Sequence, residues 1–172
     1  MSRATQSHSS TSKRREPNPW SGLSPFHMSA LDYLKAGFLP IPLPLGKKGP
    51  PPSGTPNSLE VTKARILEWM EDPRPRNIGT IVPDGLVVLD IDGMPGRDTL
   101  RELEMQFGEL DNTWISFRGD PNHYHLWFRT VDGLNWPGKL GAGLDVIHRH
   151  YRYAVLPPSI HPDGTQYRWA KP

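Results

Sequence analysis

The sequence predicts an α+β fold, a ferredoxin-like antiparallel sheet preceded by a small αβ unit. Three observations carry this. Residues 86–89 form a leucine-rich, β-branched apolar run that suits a strand buried on both faces. A helical stripe at 97–107 and two strand patterns, 113–118 and 123–129, follow it. Before it, two helix signals are each followed by a short strand.

The first helix has Ser29 as N-cap and Asp32 at its third position, and Gly37 stops it. Its apolar contacts are Leu31, Tyr33 and Leu34. A strand over 38–43 runs into the Gly/Pro-rich loop 44–52, which carries Lys47 and Lys48. Such lysines either meet phosphate or belong to an ordinary surface loop. Thr62 caps a second helix whose buried face is Ile66, Leu67, Trp69 and Met70. Pro73 and Pro75 end it, and a strand over 77–82 leads through the turn Pro83-Asp84-Gly85.

Residues 86–93 read Leu-Val-Val-Leu-Asp-Ile-Asp-Gly. Side chains two apart on a strand share a face, about 6.6 Å apart. Asp90 and Asp92 therefore stand with Val88, and Val87, Leu89 and Ile91 face the opposite layer. The acids either bind a hard cation such as Mg²⁺ or Mn²⁺ or simply end the strand in a polar turn. The helix over 97–107 presents Leu100, Leu103 and Phe107 and closes at Gly108.

The strand over 113–118 turns at Gly119-Asp120-Pro121-Asn122 into the strand over 123–129. There Tyr124, Leu126 and Phe128 share one face, and His123, His125, Trp127 and Arg129 the other. The order is strand, helix, strand, strand. A right-handed crossover makes the first two strands parallel, and the tight turn makes the last two antiparallel. The simplest packing inserts the third strand between the first two, which places His125 beside Asp90 and Asp92. A solvated histidine is the plain alternative. Zinc on His123 and His125 is a poor fit, with two ligands on one strand and no Cys.

After a glycine-rich connection at 131–143, the strand 144–147 embeds Asp145. An acid there needs a partner, either a bound cation or Arg149 or Arg152. The strand from Tyr153 runs into Pro157-Pro158, and His161-Pro162-Asp163-Gly164 turns back toward 166–169.

Length and composition set outer bounds. The 172 residues suffice for one domain, placed at 28–172, with 1–27 a polar, basic tail. Lys13, Arg14 and Arg15 in that tail are either solvated or touch a nucleic-acid backbone, and Met28 offers an alternative translation start. The absence of Cys excludes disulfides and thiolate zinc sites. No run approaches the ~20 apolar residues of a membrane span, and no apolar signal core is present. The expectation is a cytoplasmic protein with no membrane partner. A net charge of +2 and a pI of 9.0 permit a nucleic-acid partner without demanding one.

The pieces Gly37-Phe38-Leu39-Pro40-Ile41-Pro42, Lys48 near prolines, Asn77-Ile78-Gly79 and residues 85–92 occur in this order. His125-Leu126-Trp127-Phe128-Arg129, Gly143-Leu144-Asp145-Val146 and Pro157-Pro158-Ser159-Ile160-His161-Pro162 follow, then Gly164, Tyr167 and Trp169. Together they resemble the bifunctional DNA primase/polymerase (Prim-Pol) domains of the archaeo-eukaryotic primase superfamily, over about residues 30–169. The resemblance implies an RRM-like catalytic core and a role in plasmid or phage-type replication, in a prokaryotic or phage-encoded, nucleoid-associated setting. It implies that Asp90, Asp92 and Asp145 are the metal-binding acids and that His125 contacts the triphosphate of the incoming nucleotide. His123 departs from the small hydroxyl residue frequent two before that histidine, and the turn 118–122 departs from a Gly-rich one.

The expected function is therefore a metal-dependent nucleotidyltransferase that makes or extends primers on single-stranded DNA from NTP or dNTP. Two Mg²⁺ or Mn²⁺ ions on Asp90, Asp92 and Asp145 serve such chemistry. Lys47, Lys48, Arg118 and Arg129 are candidate phosphate partners, and Trp127 or Trp136 candidate stacking surfaces for template. A replicative helicase in cis or trans is an expected partner. The chain ends three residues past Trp169, as would a minimal core, one subunit of a split system or a piece of a longer protein. The rival readings are a nuclease or phosphohydrolase using the same acids, and a non-catalytic single-stranded DNA-binding module.

Overall fold

The computed structural model describes residues 24–47, 49–131 and 133–171. Along them run α1 (Pro25–Lys35), β1 (Leu39–Pro44), α2 (Lys63–Met70), β2 (Arg76–Ile81), β3 (Leu86–Asp92) and α3 (Gly93–Phe107). Then come β4 (Trp114–Phe117), β5 (His123–Arg129), β6 (Lys139–Gly141), β7 (Leu144–Ile147), β8 (Ala154–Val155) and β9 (Arg168–Ala170). The class is α+β, as the sequence predicts.

A six-stranded antiparallel sheet has the order β6-β7-β3-β5-β4-β9. β5 lies between β3 and β4, the expected insertion. A three-stranded sheet, β1-β2-β8, forms with α1 and α2 the small unit that precedes it. The alternation of β3 decides which face goes where. Val87, Leu89 and Ile91 pack with Leu100 and Leu103 of α3. Val88 turns the other way, with Trp127 and Ile147, onto Phe26, Ala30, Ile66, Ile78 and Leu156. This second face is thus half covered by the small unit, and the uncovered half carries Asp90, Asp92 and His125.

Several boundaries differ from the sequence expectation. The first helix begins at Pro25, not after Ser29, because a proline at the first helical position pre-sets the backbone there. The helix therefore takes in residues 25–27, and Phe26 is fully buried. Residues 1–23, including Lys13, Arg14 and Arg15, lie outside the described residues, as does Lys48. Thr62 caps α2 as expected, its hydroxyl accepting from the Arg65 N–H at 3.1 Å. Leu67 is exposed, since it sits about 100° around the helix from buried Ile66. On α3 the apolar cluster ends at Leu103, and Phe107 is exposed. The C-terminal hairpin closes at Ile160 and Gln166, but its arms part: β8 pairs with β2, and β9 pairs with β4.

Side-chain bonds tie this segment to the small sheet. Asn77 Nδ2 donates to the Ile160 carbonyl at 2.7 Å, and the Ile160 N–H donates to Asn77 Oδ1 at 2.9 Å. Ser159 Oγ donates to the Ile78 carbonyl at 2.7 Å and accepts the Ile78 N–H at 2.9 Å. Tyr33 supplies a third link. Its hydroxyl donates to the Pro157 carbonyl at 2.6 Å and accepts from Trp169 Nε1 at 2.7 Å. Burial pushes this phenol up to about 12, the Trp169 bond opposing. The neutral phenol is therefore favoured in the folded state. Its contribution is complete below pH ~10, where an unfolded tyrosine begins to ionise, and fades as pH rises toward 12. Urea unfolding of Tyr33→Phe is expected to show ~1–3 kcal/mol lost at pH 8, from two buried groups left unpaired. The gap to the parent narrows above pH 10. An unchanged gap from pH 8 to 11 refutes this account.

Candidate active site

The register of the large sheet puts polar side chains in a single row. Asp90 pairs with Asp145 of β7 on one side and with His125 of β5 on the other. His125 pairs with Ser116 of β4, and Ser116 with Trp169 of β9. Directly opposed residues share a face, so the row Asp145, Asp90, His125, Ser116 crosses four adjacent strands. One step along, Asp92 pairs with His123. Asp90, Asp92, His123 and His125 form one wall of a cleft of about 750 Å³ between the large sheet and the small unit. Lys47, Asn77, Arg118, Arg152, His161 and Tyr167 also line it.

His125 is 8% exposed and held on three sides. Trp127 Nε1 donates to Ser116 Oγ at 2.9 Å, and Ser116 Oγ lies 3.2 Å from His125 Nδ1. The ring stacks on Tyr167, with centroids 6.3 Å apart and planes at 24°. His125 Nε2 then faces Asp90 Oδ1 at 3.3 Å. Burial raises the Tyr167 phenol, with Arg118 opposing and Asp90 adding, so this ring stays neutral.

Asp145 ion-pairs with Arg152, whose backbone sits at φ 62, uncommon for a residue other than glycine. Asp92 Oδ1 lies 3.1 Å from His123 Nε2, and His123 Nδ1 lies 2.6 Å from Asp120 Oδ2. The Asn122 backbone N–H holds the Asp120 carboxyl below its usual range, helped by His123 and Arg118 and opposed by burial. Arg118 also reaches Asp163 at 2.8 Å.

Among the described residues, no three acids or imidazoles already converge as a metal cage. The donor set nonetheless fits a divalent ion. Three carboxylates on two adjacent strands offer hard oxygen ligands, and the Arg152 guanidinium already stands as a positive charge on one of them. Asp90, Asp92 and Asp145 are the residues that would hold such ions.

A family model described as "Bifunctional DNA primase/polymerase, N-terminal" matches residues 30–172. The chain belongs to this Prim-Pol family. No curated protein matches it. The Prim-Pol chain thus carries a primase/polymerase-type role in DNA replication, and the family implies a DNA template and nucleotide substrates. Among the described residues, no helix is long and apolar enough to cross a membrane.

Not every residue singled out in the sequence reaches this Prim-Pol cleft. Asp90, Asp92, His125, Lys47 and Arg118 do, and Asp145 sits beside Asp90 on β7 without lining the cleft. Arg129 does not: it pairs with Leu86, four residues and ~13 Å along β5 from His125. Trp127 is 6% exposed and lies within the core, and Trp136 packs on the opposite face with the α3 cluster. Neither ring lines the cleft. Sequence reasoning missed the parts played by Ser116, Asp120 and Tyr167. Counting back through the turn from His125 gives Ser116, whereas Tyr167 is brought in by a long-range pairing with no local signal.

Proposed function

We propose that this Prim-Pol chain is a metal-dependent nucleotidyltransferase that synthesises or extends primers on single-stranded DNA, in plasmid or phage-type replication. The observation that carries the reading is the row Asp145, Asp90, His125 on three adjacent strands, with Asp90 and His125 lining a cleft walled by cations. Asp90, Asp92 and Asp145 would hold two Mg²⁺ or Mn²⁺. Such ions, when bound, activate a 3′-hydroxyl and balance the charge of departing pyrophosphate. The chain's own residues bind and orient. His125 presents an Nε2 donor toward the triphosphate, fixed by Ser116 and Tyr167. Lys47, Arg118 and Arg152 meet phosphate oxygens from the cleft walls. Template binding rests on backbone charge, and a helicase in cis or trans, working in the cytoplasm near the nucleoid, completes the reading.

The same acids serve a nuclease equally well on chemical grounds. The test uses a labelled single-stranded template, labelled NTP or dNTP, and Mn²⁺. Incorporation into product supports the proposal. Degradation of template without incorporation supports the nuclease, and metal-independent binding with neither reaction supports a non-catalytic module. Within the assay, His125→Ala is expected to lower kcat/KM about 10²-fold, the cost of one preorganised donor. An effect below about threefold removes His125 from the mechanism.

A further inference from the structure

Two imidazoles project from one face of β5, at positions 123 and 125, each against an acid of β3. Their neighbours give them opposite proton positions. For His125, the Trp127 indole can only donate, and it occupies a lone pair of Ser116 Oγ. The Ser116 hydroxyl proton is then directed to His125 Nδ1, which accepts. The ring proton of His125 lies on Nε2, facing Asp90.

For His123 the order is reversed. Nδ1 stands 2.6 Å from Asp120 Oδ2, a carboxylate oxygen that can only accept, so Nδ1 donates. Asp120 is itself held by the Asn122 N–H on Oδ1 at 2.9 Å, with Arg118 3.8 Å from Oδ2. With Nδ1 donating, Nε2 is the ring's one remaining site for a proton or a metal ion, and it faces Asp92 Oδ1, 3.1 Å away. A proton or a metal ion between Nε2 and Oδ1 accounts for their approach. The distance is also that of two neighbouring ligands each about 2.1 Å from one ion. An imidazole whose other nitrogen donates to a carboxylate is the usual form of a metal-bound histidine. Both side chains line the open cleft, so an ion has access.

We propose that His123 is a further protein ligand of this centre, its Nε2 joining Asp92 on one divalent ion, with Asp120 fixing the ring from behind. This rests on the proposed metal-dependent reading of Asp92. The nitrogen donor sets the ion preference. An all-oxygen site suits Mg²⁺, and imidazole moves selectivity toward transition ions. The ion at Asp92 is therefore Mn²⁺ in preference to Mg²⁺. His125, with its proton on Nε2, is not a ligand.

The test is pulsed electron paramagnetic resonance of the whole chain loaded with Mn²⁺, together with Mn²⁺ and Mg²⁺ titrations. The expected spectrum shows ¹⁴N coupling from a bound imidazole in the parent and in His125→Asn, and none in His123→Ser. Mn²⁺ affinity is expected to fall about tenfold or more in His123→Ser and in Asp120→Asn, with Mg²⁺ affinity less affected. Mn²⁺ bound without nitrogen coupling overturns the proposal and leaves the metal reading standing. So does coupling that survives His123→Ser and disappears in His125→Asn. No Mn²⁺ binding, or equal binding by Asp92→Asn, sinks the metal reading itself and the proposal with it. Thermal melts of each variant check folding, and if Asp120→Asn unfolds, the parent and His123→Ser spectra decide.

Discussion

Replacing Asp90 and Asp92 together by alanine is expected to lower nucleotide incorporation by at least about a thousandfold, with the fold retained. The two acids are the central ligands of the proposed centre, and an ion pair in such a site supplies several kcal/mol of transition-state stabilisation. Each 1.36 kcal/mol is a factor of ten, so three or more decades follow. The fold should survive because neither side chain contributes to the core. Val87, Val88, Leu89 and Ile91 carry the burial of β3, and the Asp92 side chain is 72% exposed. Incorporation assays beside circular dichroism check both halves. A double variant within tenfold of the parent contradicts the assignment.

Gly96→Ala is expected to produce the largest loss of stability, about 3 kcal/mol, or roughly 6–12 °C in Tm. The added Cβ would lie 2.2 Å from the Gly143 carbonyl oxygen and 3.2 Å from Ile91 Cγ2. The first contact is with backbone and cannot be relieved by a side-chain rotation. That carbonyl accepts the Asp92 N–H at 2.8 Å, so α3, the end of β3 and the start of β7 meet at one point. Gly143→Ala meets the same crowding from the other side, at 2.6 Å from both the Asp92 carbonyl oxygen and the Gly96 nitrogen. It also carries φ +64, unfavourable for alanine. Because Asp145 lies two residues beyond Gly143, both variants are expected to lose incorporation as well. Gly119→Ala is the control: its φ is +93 but nothing lies within 4 Å, so a loss of ~1 kcal/mol is expected. Equal melting shifts for Gly96→Ala and Gly119→Ala contradict the packing account.

The placement of Asp90, Asp92 and His125 was legible because strand periodicity is local and strict, whereas Asp145 joined them only through the family resemblance. The alternation in 86–92 assigns its two faces, and the order strand, helix, strand, strand leaves one simple place for β5. Nothing local records what a strand's far neighbour is. The pattern at 153–169 reads as one hairpin, yet its arms join different sheets, since Asn77 and Ser159 bind the proline-rich stretch to β2. Arg129 shares the site face but not the site, because period two specifies a face and not a depth along the strand. Trp127 shares a face with the two histidines and reads as a stacking platform, and only the packing of the small unit over that end of the sheet puts it in the core. Ser29 has the chemistry of an N-cap, but Pro25 sets the start of the helix earlier.

Calorimetric titration of nucleotide into the parent and into Asp145→Asn, with and without Mn²⁺, bears most directly on the proposed centre. The parent should bind nucleotide far more tightly when Mn²⁺ is present, and Asp145→Asn should lose most of that gain. Nucleotide affinity that ignores Mn²⁺ in the parent, or a Mn²⁺-dependent gain that is the same in Asp145→Asn, would contradict a divalent centre built on these acids.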